Sequence, residues 1–520
     1  MNRIRGEGME RDVLVGIDGG TGSIRVGFYD LQGNSLGFAA TEYRTTHLHT
    51  GWAEQSPEDW WNALKASLAK GMAETGITKD RIIGISTATT SCSVVLSMLD
   101  GTPVRDCLIW MDVRASQEVN EIEALTGAKL SAEWMPGKLL WLKRHEKENY
   151  EKAEVFCEYQ DWLTYRLTGI WSININNSCN WGYNARDGAF AEDFYNTIGL
   201  EEAVSKFPDG HVYAVGDAVG TLTKEAADEL GLGYHTLVAQ GGIDSSIAIL
   251  GMGVSEPGKL ALITGSSNLA MALTDEALFN EGLINTGPDH LIPGYYTSYR
   301  GQVSSGSILS WFRREFCRDL EDVEEGVFDY LNRQASELEP GSEGLIVLDY
   351  WQGNRHPYLD SKVRGMFYGL SLNHTRAHMY RALMEGIAFG TENLLVQFRE
   401  SGFPVQEINI AGGTSQSDVF MQIHADVSNV TVNVPQDRQA PCLGCAITVA
   451  VAAGIYPGLA EATKAMVKLE KVITPNPEAH RKYRRIFEQY RKIYPGFKDW
   501  MHETTDIYLQ SLAQSDREQQ

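Results

Sequence analysis

The sequence predicts an α/β protein of two domains, and three observations carry that prediction. A strand, a glycine turn and a second strand occur in succession twice, in DVLVGIDGGTGSIRVGFYD from Asp12 and in GKLALITGSSNLAMAL from Gly258. Amphipathic helical stretches follow strand-like runs, the alternation expected of an α/β architecture. The chain has 520 residues, 43% hydrophobic and 22% charged, a globular composition too long for one core to serve efficiently.

The first module has an apolar run, a Gly19-Gly20-Thr21-Gly22 break, and then alternating Ile24, Val26 and Phe28. A helix is expected from Pro57 to Thr75, opened by Ser56 as N-cap and Pro57 at the first helical position. RIIGIS, from Arg81, reads as a strand and leads into the hydroxyl-rich run Thr89, Thr90, Ser91, Cys92, Ser93. LIWMDVRAS places Trp110, Asp112 and Arg114 at alternate positions, so an extended segment puts all three on one face. VAQGGIDSSIAILGMG is an apolar strand, a Gly241-Gly242 break, Asp244 and a helix-like apolar run. The turn formers from Gly251 to Gly258 place a domain junction near residue 254, dividing the chain into domains 12–254 and 255–520. The second module follows, with Leu260 to Ile263, the turn Thr264-Gly265-Ser266-Ser267, and a run from Leu269. Later come the strand pattern Ile408-Asn-Ile410, the pair Gly412-Gly413 and a helix. HRKYRRIFEQYRKIY is a charged helix, and the polar tail SLAQSDREQQ is expected to fray.

Composition excludes several classes. A formal net charge of −23 repels nucleic acid and anionic membrane. The first dozen residues carry no apolar signal core, and no apolar run approaches the roughly 18 residues of a membrane span, so the reading is a soluble cytoplasmic protein. Seven cysteines, an odd number in a long chain, argue for reduced thiols. Cys442 and Cys445 form a CxxC, but CLGCAITVAVAAG reads as a small-residue helix in a packed interior, since a zinc site needs a second ligand pair.

Several residues are candidates for chemistry. Gly19, Gly20 and Gly22 remove the Cβ atoms that keep phosphate oxygens from a backbone, and Thr21 and Ser23 add hydroxyl donors. The alternative is a tight hairpin whose glycines serve backbone geometry alone. Asp18 stands where a carboxylate can orient a hydrated magnesium ion. Thr264, Gly265, Ser266 and Ser267 repeat the turn in the second half, so two such turns can face each other across an interdomain cleft. Gly412, Gly413 and Thr414, with Ser417 after them, suit a nucleotide's adenosine between a strand end and a helix N-terminus. No GxxxxGK[ST] is present, which excludes a P-loop. Asp244 serves either as a helix N-cap or as a base at a helix start. Trp110, Asp112 and Arg114 suit a polyhydroxylated ligand, or else form a surface ion pair over a tryptophan. Ser91 and Cys92 can bond sugar hydroxyls, or satisfy a turn.

Over residues 12 to 495 the chain resembles the FGGY family of carbohydrate kinases, part of the superfamily of sugar kinases, heat-shock chaperones and actin. IDGGTGSIRVGFYD and TGSSNLAMAL are similar to the family's two phosphate motifs, and AGGTSQSDVFMQIHADV to its adenosine-site signature. GGIDSSIAILG resembles the segment carrying the catalytic aspartate, which maps onto Asp244. WMDVRAS resembles the family's sugar-holding segment, with Val113 where a histidine is common. The resemblance implies two actin-like (ribonuclease H-like) domains, each a mixed β-sheet flanked by helices, with an active-site cleft between them. It also implies ATP and Mg2+, and makes a homodimer a possible assembly. GNRHPYLDSKVRGMFYGLSL, EYQDWLTYRLTG and TTSCS look closest to the pentulose-kinase branch. The expected acceptor is therefore a ketopentose, D- or L-ribulose first and xylulose next. Alternatives are a polyol such as ribitol or erythritol, or autoinducer-2. Readings of a different class are an actin- or chaperone-like ATPase without a sugar substrate, and a sugar-sensing pseudokinase, against which Asp18 and Asp244 both stand.

Overall fold

The structure, a computed structural model, describes residues 5–6, 9–208, 210–279 and 288–518. Of the charged N-terminal stretch, residues 1–4 and 7–8 lie outside the described residues, as do 519–520 of the polar tail. The chain divides into two compact units. One comprises Met1–Glu256, Leu273–Ser298 and Gln439–Lys468, and the other Pro257–Ala272, Tyr299–Arg438 and Leu469–Gln520.

The first unit is built on a six-stranded sheet of β1 (Val13–Gly19), β2 (Ser23–Tyr29), β3 (Ser35–Glu42), β4 (Ile82–Thr89), β5 (Ala218–Thr221) and β6 (Leu237–Ile243). Its order is β3-β2-β1-β4-β6-β5. The strands β1, β2 and β3 form an antiparallel meander, β4 joins β1 in parallel, β6 joins β4 in parallel, and β5 closes the edge antiparallel. Val13, Leu14, Val15 and Ile17 are all fully buried, as expected of a central strand covered on both faces.

The second unit repeats this plan with β7 (Lys259–Thr264), β8 (Asn268–Thr274), β9 (Tyr296–Gln302), β10 (Glu407–Gly412), β11 (Thr431–Pro435) and β12 (Leu469–Ile473). Its order is β9-β8-β7-β10-β11-β12. Again the first two strands are an antiparallel hairpin, the next two additions are parallel, and the edge strand is antiparallel. The module repeated in the sequence is thus a repeated sheet.

Helix α1 (Pro57–Thr75) has the expected start, with Ser56 at the N-cap position and Pro57 first in the helix, and ends at a left-handed Gly76. It buries Trp60, Trp61, Leu64 and Leu68, and Trp60 stacks on Tyr159 with ring centroids 3.6 Å apart. Further helices used below are α2 (Met135–His145), α3 (Tyr159–Thr168), α4 (Asp244–Gly251), α5 (Gly306–Phe316), α6 (Val327–Ser336), α7 (Arg376–Glu400), α8 (Asp418–Ser428), α9 (Ala440–Ala452) and α10 (Pro477–Glu518). The tail expected to fray is helical as far as Glu518, because α10 continues into it. Among the described residues no helix is long and apolar enough to cross a membrane.

Helix α9 carries the CxxC, and its small residues are accounted for by proximity. Gly16 and Gly27 are cross-strand partners on β1 and β2. A Cβ on Gly16 would overlap the carbonyl oxygen of Cys442, and one on Gly27 would come within 3.0 Å of the Cys442 Cβ. The Cys445 thiol donates to the carbonyl of Ile17 at 3.3 Å, and the Thr448 hydroxyl to Ser86 Oγ at 2.8 Å. Gly444 backs α4, since a Cβ there would overlap the carbonyl of Ile247. Helix, strands and helix therefore meet backbone to backbone.

Replacing Gly16 by Ala should destabilise the protein by about 1–3 kcal/mol, because a backbone carbonyl cannot swing aside as a side chain can. Gly22→Ala is the control, since its Cβ meets nothing within 4 Å. Thermal denaturation of the two variants should show a lowered midpoint for the first alone; an unshifted Gly16→Ala midpoint would refute the close approach.

Candidate active site

In the first unit the glycine tip closes by a hydrogen bond from the Gly20 N–H to the Ser23 carbonyl at 3.0 Å. None of Gly19, Gly20 and Gly22 has a positive φ, so hairpin geometry alone does not call for glycine there. Space does. A Cβ on Gly19 would sit 2.8 Å from the Tyr159 hydroxyl, and one on Gly20 would meet the Arg25 guanidinium at 2.5 Å, while Gly22 opens onto free space. Outside the tip, Trp110 Nε1 donates to Thr21 Oγ1 at 2.9 Å, and Gln55 Nε2 to the Thr21 carbonyl at 2.6 Å.

Asp18, near the end of β1, is completely buried and forms an ion pair with Arg25, its cross-strand partner, at 2.8 Å. Burial outweighs the guanidinium and pushes its carboxyl up to about 6. Asp244 begins α4 directly after β6. Ile243 occupies the N-cap position, and the Asp244 carboxylate accepts only the next amide, from Ser245 at 2.6 Å, so the N-cap role considered for Asp244 is not the one it plays. The β6 backbone is pressed against its neighbours here: a Cβ on Gly241 would overlap the Thr87 carbonyl, and one on Gly242 would lie 2.7 Å from Asn176 Oδ1. Burial, then the charge of Asp18, raise the Asp244 carboxyl to about 7. Tyr43 donates to the Gly20 carbonyl and lies within the electrostatic reach of Asp18, Arg25 and Asp244. Two carboxylates, one guanidinium and one phenol form a single constellation.

The WMDVRAS segment differs from expectation. After the short strand Cys107–Leu108 the chain turns instead of running on extended, with the Asp112 N–H donating to the Ile109 carbonyl at 2.9 Å. The alternating residues therefore share no face. Trp110 is 39% exposed, but the side chains of Asp112 and Arg114 are wholly buried against each other at 2.7 Å. Asp112 also accepts the Ala53 N–H at 2.7 Å, and Arg114 donates to Glu54 at 2.6 Å with its guanidinium 3.7 Å over the Trp52 ring. The alternative reading holds only in part: the Asp112–Arg114 pair is present, but it is buried, lies off any strand and sits against Trp52 instead of Trp110. Ser91 is partly exposed; Cys92 is buried and has φ +58°.

In the second unit β7 and β10 run parallel with Thr264 and Gly412 as partners. Gly412 has φ +123°, and a Cβ on it would overlap the Thr264 carbonyl, so only glycine fits. The tip of the β7–β8 hairpin closes through Gly265 N–H to Ser267 O at 2.9 Å, and Gly265, Ser266 and Ser267 are exposed. The first amide of α5, from Gly306, fastens the tip by donating to the Gly265 carbonyl at 2.9 Å. Gly265, Ser266, Gly413, Thr414 and Ser417 line one pocket of about 490 Å3. Ser417 also caps α8, accepting the Phe420 N–H at 3.3 Å. Phe328 and Asn332 from α6 and Tyr380 from α7 complete the walls. The volume suits a nucleoside.

Sequence reasoning did not find Arg25, Tyr43, Phe328 or Tyr380. Arg25 had a signal, its alternation opposite Asp18 in a hairpin; Tyr43 stands in a loop and Phe328 and Tyr380 on helices distant in sequence.

Family models for the FGGY family of carbohydrate kinases match residues 13–251 (N-terminal domain) and 260–453 (C-terminal domain). A ribulokinase of Anoxybacillus flavithermus is 30% identical, with 94% of this chain and 95% of that one covered. A xylulose kinase of Staphylococcus epidermidis is 27% identical over 94% and 98%. The crystal structure of xylulose kinase from Rhodospirillum rubrum superposes with a TM-score of 0.83 at 26% identity, covering 94% of this chain and all of that one. Matched by both domain models and by relatives along almost its entire length, the chain belongs to the FGGY family of carbohydrate kinases.

Proposed function

We propose that the protein transfers the γ-phosphoryl group of ATP to a terminal hydroxyl of a ketopentose, with ribulose the first acceptor and xylulose the next. The observation that carries this reading is Asp244: a carboxylate at a helix start, raised to about 7 beside the buried Asp18. Such a group takes up a proton readily near neutral pH. Relatives named ribulokinase and xylulose kinase support the acceptor class.

Asp244 accepts the proton of the sugar hydroxyl as its oxygen bonds to the γ-phosphorus; the bond from that phosphorus to the β–γ bridging oxygen breaks and ADP leaves. The amides of Ser266 and Ser267 at the exposed tip, with Gly265 closing the turn and Thr264 beneath it, are assigned to phosphate oxygens. Gly412, Gly413, Thr414 and Ser417 are assigned to the adenosine side, and Gly19, Gly20, Thr21, Gly22 and Ser23 to the transferring phosphate. Ser91 and Trp110 offer polar and aromatic contacts to the sugar. Cys92, Asp112 and Arg114 shape that surface from within.

The residues fit a divalent ion that arrives with the nucleotide. Asp18 Oδ1 is buried without a hydrogen-bond partner, and among the described residues no group of three or more His, Cys, Asp or Glu side chains is placed to hold a metal alone. Magnesium typically takes one or two carboxylates, with phosphates and water completing its shell. Asp18 is the residue assigned to hold it, and the ion's contribution is to neutralise charge on the phosphates.

Purified protein with Mg·ATP and a panel of D-ribulose, L-ribulose, xylulose, ribitol, erythritol and autoinducer-2 should release ADP fastest with a ketopentose. ADP release indifferent to every acceptor would sink the reading. Asp244→Asn should lower kcat by about 10²–10⁴-fold while ATP binding, followed by nucleotide titration, is retained; near-native turnover would remove Asp244 from its role. Asp18→Ala should raise the magnesium concentration needed for half-maximal rate, with acceptor KM little changed, and an unaltered magnesium curve would show the ion is held elsewhere.

A further inference from the structure

Cys92 is in a left-handed conformation, φ +58°, that a residue with a side chain adopts only when its surroundings hold it there. Both ends of the residue are held. Its N–H donates to Glu158 Oε2 at 2.8 Å, and its carbonyl accepts from Lys138 Nζ at 2.7 Å. Both of those side chains are fully buried, and neither belongs to the chemistry assigned above.

Lys138, on α2, does more than grip one carbonyl. Its ammonium also donates to the carbonyls of Leu108, at 3.2 Å, and Ile109, at 2.8 Å. Three donors meet three acceptors, which is what a buried ammonium requires. The Ile109 carbonyl is also the acceptor for the Asp112 N–H, the bond that turns the chain past Trp110. One ammonium thereby joins the Ser91 segment to the Trp110 segment. Glu158 is anchored in turn: its Oε1 accepts from Trp181 Nε1 at 2.7 Å, and it forms a capping box with Asp161 at the start of α3.

We propose that Lys138 and Glu158 are positioning residues for the acceptor sugar, holding the Cys92 peptide left-handed and thereby fixing Ser91 and Trp110 in the arrangement that binds it. The proposal rests on the ketopentose-kinase reading. It assigns a function to two buried polar side chains that a simple interior would replace with apolar ones. The nucleotide pocket, built from other elements in the second unit, should not feel them.

The test is a double-mutant cycle on the full-length protein, with KM for the acceptor, KM for ATP and kcat measured for each variant. Lys138→Met keeps the length of the side chain and removes its donors. It should raise acceptor KM about tenfold or more and leave ATP KM within about twofold. In a Cys92→Gly background the same change should cost at least about threefold less, because glycine adopts the left-handed conformation without being held. A merely structural lysine would move both KM values together, or cost the same in both backgrounds, and either result overturns the proposal. If Lys138→Met does not fold, Glu158→Gln takes its place. A glutamine offers one acceptor oxygen where the carboxylate serves both Cys92 and Trp181, so the same split and the same rescue by Cys92→Gly are expected. A wild-type protein that no acceptor stimulates sinks the kinase reading along with this one. An active wild type with unshifted acceptor KM in the variants sinks this one alone.

Discussion

The first unit depends on the close approach of α9 to β1 and α4. Glycines on the strands, on α4 and on α9 let the backbones meet: Gly16 and Gly27 against Cys442, Gly444 against Ile247, and Gly251 against Ala440. Asp18 lies two residues beyond Gly16 on β1, and Asp244 opens α4. One helix therefore backs both elements that carry these two carboxylates. Interiors at crystal-like density transmit displacement instead of absorbing it, so a side chain added at Gly16 or Gly444 would push on the elements that carry these two acids. Burial first, and then the charge of Asp18, raise the Asp244 carboxyl.

This arrangement also resolves an apparent conflict in charge. A protein of net charge −23 that binds a polyanion cannot rely on its overall field. In the second unit the exposed tip of Gly265, Ser266 and Ser267 offers backbone amides, which carry no net charge and need no basic surface. In the first unit two carboxylates face a single guanidinium, that of Arg25. A constellation with more acid than base is complementary to a cation, and in the proposed reading the nucleotide brings one.

Much of this was legible in the sequence. Both hairpins were, because a glycine-rich break between two apolar runs makes the chain reverse and pair with itself, and so was α1, whose proline and serine mark its start. The topological duplication could be read only as a repeated module; its parallel additions, β4 and β6 in one unit and β10 and β11 in the other, involve strands far apart in the chain. The alternation of Trp110, Asp112 and Arg114 misled because periodicity of two has meaning only in extended chain, and here a hydrogen bond from Asp112 to Ile109 turns it. Lys138 and Glu158 left no pattern because their partners are mostly backbone carbonyls and an amide, which every residue type possesses. A side chain that recognises backbone is invisible to motif reading.

The two halves of the chemistry are held by different means, and this bears on how acceptor choice can vary. The turns assigned to the nucleotide are shaped by the absence of side chains, so substitution at Gly412 or Gly20 meets backbone or a guanidinium at once. The segments assigned to the sugar are shaped by side chains beneath them: the Asp112–Arg114 pair, Lys138 and Glu158. Positions above that frame are free to change. Val113, where the family commonly has a histidine, is 46% exposed; its hydrogen bonds are made by its backbone, the N–H donating to the Gly51 carbonyl at 2.9 Å and the carbonyl accepting from the Ser116 N–H at 3.1 Å. Its side chain lies outside the buried ion pair, so its identity leaves the frame intact. Acceptor preference in such a site can shift by one exposed residue while the frame that presents it, and the phosphate turns, stay as they are.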